Sequence, residues 1–315
     1  MTDAARALET HLQTEIGKLL FGMDDAVHAL CIALIGGGHV LLEGPPGLGK
    51  TRLSKAFAHI LGGRYKRIQG TADLMPTDIT GVHVFDMQSQ TFNFQPGPLF
   101  ADIVLVDELN RAGPKTQSAL LEAMEERQVS VDRETFPLSE HFMVIATQNP
   151  REFEGTFPLP ESQLDRFALS VDISYPTRAD EQTILRSYTD LDHGADDIST
   201  LVPLATEALN EARAAIGTVQ LADELINYVL DLAAASRASS AVNLGLSMRG
   251  ALVLARSARI AAALRGGDYV IPDDVKKVAS WVVPHRLMLS AEAAIEGTSQ
   301  TAVLESLLDN VAVPA

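Results

Sequence analysis

The sequence predicts an α/β fold of roughly five parallel strands, followed by an all-helical domain. Three observations carry this. Short, largely apolar runs alternate with helical patterns up to about residue 175. A glycine-rich stretch, Gly44–Thr51, joins one such run to a helical pattern. From about Arg178 onward, alanine and helical periodicity dominate.

The strand runs are HVLLE (His39–Glu43), YKRIQ (Tyr65–Gln69), IVLVD (Ile103–Asp107), MVIATQ (Met143–Gln148) and ALSVDI (Ala168–Ile173). Several are continuously apolar, as expected of parallel strands covered on both faces. Between them, TQSALLEAMEER places Leu120, Leu121 and Met124 on one helical face. Two insertions break the rhythm. In one, Val82 and Val84 alternate, a polar turn follows, and Phe92 and Phe94 alternate in turn. In the other, Val129 and Val131 precede a charged turn, with Phe136 and Leu138 after it. Both read as hairpins that a minimal α/β sheet does not need. Beyond Tyr175-Pro176, DELINYVLDLAAASRA and MRGALVLARSARIAAALRGG read as helices. Gly266-Gly267 stops the second, and Pro272-Asp273 in YVIPDDV starts another. The expected division is an α/β domain over 1–177 and a helical domain over 178–315.

The net charge, 41 acids against 25 bases, is −16. Such a balance repels nucleic acid and anionic membranes, although a local basic groove stays compatible with it. Aromatics at 5% argue against a base-stacking platform. The longest apolar stretch, Ala29 to Leu42, contains three glycines and a histidine and is too short to span a bilayer. MTDAARALET lacks the layout of a secretory leader. The single cysteine, Cys31, allows no intrachain disulfide and reads as a core residue. A soluble cytoplasmic protein is expected. The 8 histidines show no zinc spacing.

GPPGLGKT (Gly44, Pro45, Pro46, Gly47, Leu48, Gly49, Lys50, Thr51) fits G-x-x-x-x-G-K-[ST] between a buried strand and a helix. Its backbone amides and the helix N-terminus suit phosphate oxygens. Lys50 should reach the β- and γ-phosphates of ATP, and Thr51 should offer its hydroxyl to Mg²⁺. IVLVD then ends in two adjacent acids, Asp107 and Glu108. Carboxylates at the C-terminal end of a parallel strand sit where open α/β sheets bind ligands. Asp107 is expected to hold Mg²⁺ directly or through water, and Glu108 to polarise the attacking water. MVIATQNP ends in Gln148-Asn149-Pro150, and an amide there could hold that water; Asn149 is preferred, with Gln148 its neighbouring alternative.

The stretches GGHVLLEGPPGLGKT, RIQGTADLMPTDITG, FQPGPLFADIVLVDELNRAGPKTQSALLEAMEERQVSV, VIATQNPREFEGTFPLPESQLDRF and YVIPDDV are more specific than a phosphate loop. On them the chain resembles the AAA+ ATPases, and more narrowly the MoxR family, over nearly all 315 residues. The resemblance implies a AAA+ P-loop core with a helical lid, and a homo-oligomeric ring, usually a hexamer, with ATP at subunit interfaces. Gly44–Thr51 then matches Walker A, Asp107 and Glu108 match Walker B, and Asn149 matches sensor 1. Arg166 matches an arginine finger that reaches the neighbour's γ-phosphate. Arg249 matches sensor 2, in cis or in trans. Asn110 and Arg111 would face the adjoining subunit, or else serve as a helix cap and a surface charge. The two hairpins match inserts that face the ring pore or substrate. A von Willebrand factor A-domain protein is the implied partner, and chaperone-like remodelling or metal-cofactor insertion the implied work. A nucleotide-gated scaffold with negligible hydrolysis and a DNA-acting motor are the alternatives. The sequence departs from the family pattern at Gly70, in the charged turn of the second hairpin, and at Met248.

Overall fold

The computed structural model describes residues 2–150, 155–189 and 197–314. In chain order its strands are β1 (Val40–Glu43), β2 (Tyr65–Gln69), β3 (Gly81–Asp86), β4 (Thr91–Pro96), β5 (Ile103–Asp107), β6 (Gln128–Val131), β7 (Glu134–Pro137), β8 (Met143–Gln148), β9 (Leu169–Asp172), β10 (Val242–Leu244) and β11 (Met288–Leu289). The helices of the first half are α1 (Asp3–Gly17), α2 (Asp24–Gly36), α3 (Lys50–Ile60), α4 (Pro76–Thr80), α5 (Pro114–Glu126) and α6 (Glu161–Leu164). Those of the second half are α7 (Arg178–Thr189), α8 (Ala208–Ile216), α9 (Asp223–Ala238), α10 (Met248–Leu264), α11 (Pro272–Val282), α12 (Ala291–Ile295) and α13 (Gln300–Asn310).

Five strands form one parallel sheet in the order β2-β5-β8-β1-β9. Side chains alternate across it. Val40, Leu42, Ile103, Leu105, Met143 and Ile145 enter one core with α1, α2, α3 and the C-terminal helices. Leu41, Val104, Val106, Val144 and Ala146 enter the other, closed by Leu120, Leu121 and Met124 of α5. The apolar stretch at 29–42 is the end of α2, a glycine turn and β1, with Cys31 buried inside. Among the described residues no helix is long and apolar enough to cross a membrane.

Both expected hairpins are present, β3–β4 and β6–β7, each antiparallel. They lean on one another. Phe94 and Phe136 stack at 4.0 Å, and His83 reaches across to Asp132 at 2.9 Å. The second hairpin turns without glycine because Asp132 takes the left-handed conformation, φ +55°, which Asp tolerates better than most residues.

His39 stitches β1 to its surroundings. Its Nδ1 accepts from the Val144 N–H at 3.0 Å, and its Nε2 donates to the Met124 carbonyl at 3.1 Å. The first bond requires the neutral ring, since a protonated Nδ1 cannot accept. Burial pushes its pKa down from 6.5 to about 4; the Met124 carbonyl opposes this and Arg127 assists it. The unfolded chain therefore takes up this proton first as pH falls. Stability should be full above the unfolded value and should decline between pH 6.5 and about 4, by about 3 kcal/mol from this residue. Urea unfolding at neutral and acid pH measures it. His39→Gln should flatten the pH slope, and an unchanged slope would assign the acid sensitivity elsewhere.

Candidate active site

The loop after β1 is shaped by glycine. Gly44 leaves the strand at φ +143°, where a Cβ would collide with the Ile173 carbonyl. Gly47 and Gly49 both adopt φ +83°. Gly49 caps α3 with no side-chain hydrogen bond, so the first-turn amides of the helix are presented to an anion. Lys50 is only 9% exposed, and its Nζ donates to the Gly44 carbonyl at 2.6 Å. Burial lowers its pKa, while Asp107, Glu108 and Glu43 pull the other way. A cation this buried calls for an anionic partner.

The sheet register brings the polar strand ends into a row. Gln69 lies opposite Asp107, and Glu43 lies between Gln148 and Asp172. Thr51 Oγ1 donates to Asp107 Oδ2 at 3.0 Å. Arg67 donates to the same oxygen from Nε at 3.1 Å and Nη2 at 2.8 Å. Thr147 Oγ1 donates to Asp107 Oδ1 at 2.8 Å. Burial would raise the Asp107 pKa, but Thr147, Arg67 and Thr51 together hold it below the usual carboxylate value. Asp107 is thus a fixed anion touching the loop's hydroxyl.

Glu108 is held differently. Its backbone is left-handed, φ +55°, a strained state for a side-chain-bearing residue. Its N–H donates to Thr147 Oγ1 at 3.0 Å, and Gly70 packs so closely that a Cβ would collide with the Glu108 carbonyl. The glycine that departs from the family pattern is therefore the residue this turn admits. The Glu108 carboxylate is 38% exposed, accepts from Gln69 Nε2 at 2.9 Å, and lies 3.5 Å from Arg111. Asn110 is buried, and its carbonyl accepts from Phe157 N–H at 2.6 Å. Gln148 donates to Glu43 Oε1 at 2.6 Å, and Asn149 follows one residue beyond the strand, half-buried.

Arg166 and Arg249 lie elsewhere. Arg166 Nη2 and Arg249 Nη1 each approach a different oxygen of Glu125, both at 3.1 Å. Their shared pocket is lined by Gly37 and Gly38, just before β1. The phosphate loop leaves the other end of that strand, about 13 Å of backbone away.

Hard oxygen donors, the Thr51 hydroxyl and the Asp107 carboxylate, already touch beside the phosphate loop, a donor set that fits Mg²⁺. No cluster of three or more His, Cys, Asp or Glu suited to a metal exists among the described residues, and His193 lies outside them.

Residues 39–169 match the ATPase family associated with various cellular activities (AAA), and residues 234–307 match the AAA lid domain. Chaperone MoxR1 of Mycobacterium tuberculosis is 38% identical over 95% of this chain and 81% of its own length. The chain belongs to the MoxR family of AAA+ ATPases. Its membership makes it an ATP hydrolase. Protein YeaC of Bacillus subtilis is 42% identical over 95% of this chain and 92% of its own. A crystal structure from Cytophaga hutchinsonii, assigned as an ATPase, superposes with a TM-score of 0.90 at 34% identity, covering 100% of this chain and 97% of that one. As a MoxR-family core, the site has three parts that sequence reasoning misses: Arg67 and Gln69 from β2, and Thr147 from β8. The period of two places Arg67 and Gln69 on one face, but only the pairing of β2 with β5 aims them at Asp107 and Glu108.

Proposed function

We propose that this chain is a Mg²⁺-dependent ATPase motor, assembled as a homo-oligomeric ring, most simply a hexamer, that remodels or matures a partner protein. The carrying observation is the Thr51–Asp107 contact with the freer carboxylate of Glu108 beside it. Gly44–Thr51 cradle the phosphates, and Lys50 exchanges the Gly44 carbonyl for phosphate oxygens. Thr51 and Asp107 would hold Mg²⁺, which would supply neutralisation of the phosphate charge. Glu108 orients and deprotonates the attacking water, and Asn149 holds that water from the adjoining strand. Arg166 and Arg249, whose shared pocket borders Gly37 and Gly38 before β1 rather than the loop after it, serve a neighbour's nucleotide. The relative named as a chaperone supports a chaperone-like role. Family resemblance supports a von Willebrand factor A-domain partner, with complex assembly or metal-cofactor insertion as the outcome, in the cytoplasm.

ATP turnover per subunit, followed across a wide protein-concentration series, tests the shared site. Specific activity should rise with concentration and reach a plateau as subunits meet. Turnover that stays high and flat down to the lowest concentration would mean that one chain holds a complete site.

A further inference from the structure

We propose that a cleft at the N-terminal ends of the sheet strands is a second anion site, built for the phosphoryl groups of a small phosphorylated ligand. The cleft has a volume of about 850 Å³, within the range of small-molecule sites. Arg127, Arg213, Arg256 and Arg259 line it, and Glu140 is the only carboxylate among its lining residues. On a chain of net charge −16, this is a local reversal of sign.

The manner in which these guanidiniums are held leaves their charge uncancelled. Arg127 donates to the carbonyls of Gly37 and Glu140. Arg213 donates to the Leu34 carbonyl at 3.1 Å, and Arg259 to that of Val219 at 2.8 Å. Neutral groups, these carbonyls and for Arg213 also His141 Nδ1 at 3.3 Å, orient these three forks without supplying an anion. The Arg256 side chain is exposed and makes no hydrogen bond or ion pair among the described residues. Arg213 is also disfavoured as a cation, first by burial and then by Arg127, with Glu140 opposing and Arg256 adding to the effect. An entering anion would relieve that repulsion. Planar guanidinium forks suit phosphate oxygens in particular. Ile35, Ile216 and Leu252, the last 61% exposed, give the cleft an apolar side for an organic body.

This site is not the phosphate loop. Gly36 and Gly37 precede β1, and Glu140 precedes β8. The loop Gly44–Thr51 leaves the opposite end of β1, so the sheet separates the two.

Calorimetric titration of inorganic pyrophosphate into the full chain carrying Lys50→Ala, at about 0.15 M salt, tests the proposal. One saturable site per chain is expected, and two in the wild-type chain. Adding Arg256→Glu should weaken the remaining site at least about tenfold. Leu252→Glu, an exposed change that keeps all four arginines, should weaken it similarly by placing a carboxylate in the cleft. Lys115→Glu makes the same charge change outside the cleft and should leave affinity within about twofold. Absence of saturable binding, or equal weakening by Lys115→Glu, would overturn the site. So would a result in which pyrophosphate fails to bind and Arg256→Glu instead reduces self-association, because the arginines would then serve a carboxylate of a second copy.

Discussion

Glu108→Gln is expected to bind ATP nearly as tightly as the wild type while turnover falls roughly 10²–10⁴-fold, the usual worth of a general base. The two adjacent acids are held in ways that separate binding from chemistry. Asp107 is 13% exposed and bonded by Thr51, Arg67 and Thr147. Its charge is committed to the loop hydroxyl and to the Arg67 and Thr147 donors. Glu108 touches neither the loop hydroxyl nor Lys50 by any hydrogen bond, and its carboxylate meets only Gln69 and Arg111 among these polar neighbours. A glutamine there keeps an oxygen for Gln69, and it loses the charge that takes a proton from water. Nucleotide affinity and phosphate release, measured on the same contaminant-free preparation, separate the cases. Near-normal turnover would remove Glu108 from the mechanism. Lost ATP binding would instead make it part of the cradle.

The sheet and the phosphate loop are legible in the sequence for a physical reason. Strands buried on both faces must be largely apolar, so HVLLE, IVLVD and MVIATQ stand out against their helices, and the polar residue that closes each run marks where the core stops. The hairpins are legible by alternation. Strand order is not, because β2 pairs with β5 across a whole hairpin insert. That pairing decides which side chains hold Asp107 and Glu108, so Arg67 and Gln69 escape notice. The N-terminal helices are hidden for two different reasons. α2 is buried from Ala26 to Ile35 without interruption, so it has no polar face to give a period. α1 has a periodic face, Ala5, Leu8, Leu12 and Ile16, but it packs on α8 and α10, some two hundred residues away in the chain. Glu125 reads as one more charge on the face of α5; only the fold aims it at Arg166 and Arg249 together.

Arg166→Ala should lose about 10³–10⁵-fold in turnover, the range for an arginine that stabilises transition-state charge from a neighbouring chain. Yet Arg166→Ala subunits should regain activity when mixed with equally inactive Lys50→Ala subunits. In a head-to-tail ring each interface joins one loop to one finger. Random mixing in equal amounts leaves about a quarter of interfaces with an intact Lys50 facing an intact Arg166, so recovery should approach about a quarter of wild-type activity if sites act independently. The geometry behind this is the separation of Arg166 from its own loop along β1, and the pairing of Arg166 and Arg249 on the two oxygens of Glu125. We propose that these two arginines, held by one carboxylate, leave it for the same phosphate. Arg249→Ala in place of Arg166→Ala should therefore be rescued by Lys50→Ala in the same way, placing Arg249 in trans. Mixtures that stay inactive at every ratio, although native mass measurements show mixed rings, would count against a finger supplied by the neighbour and would return both arginines to the fold of their own subunit.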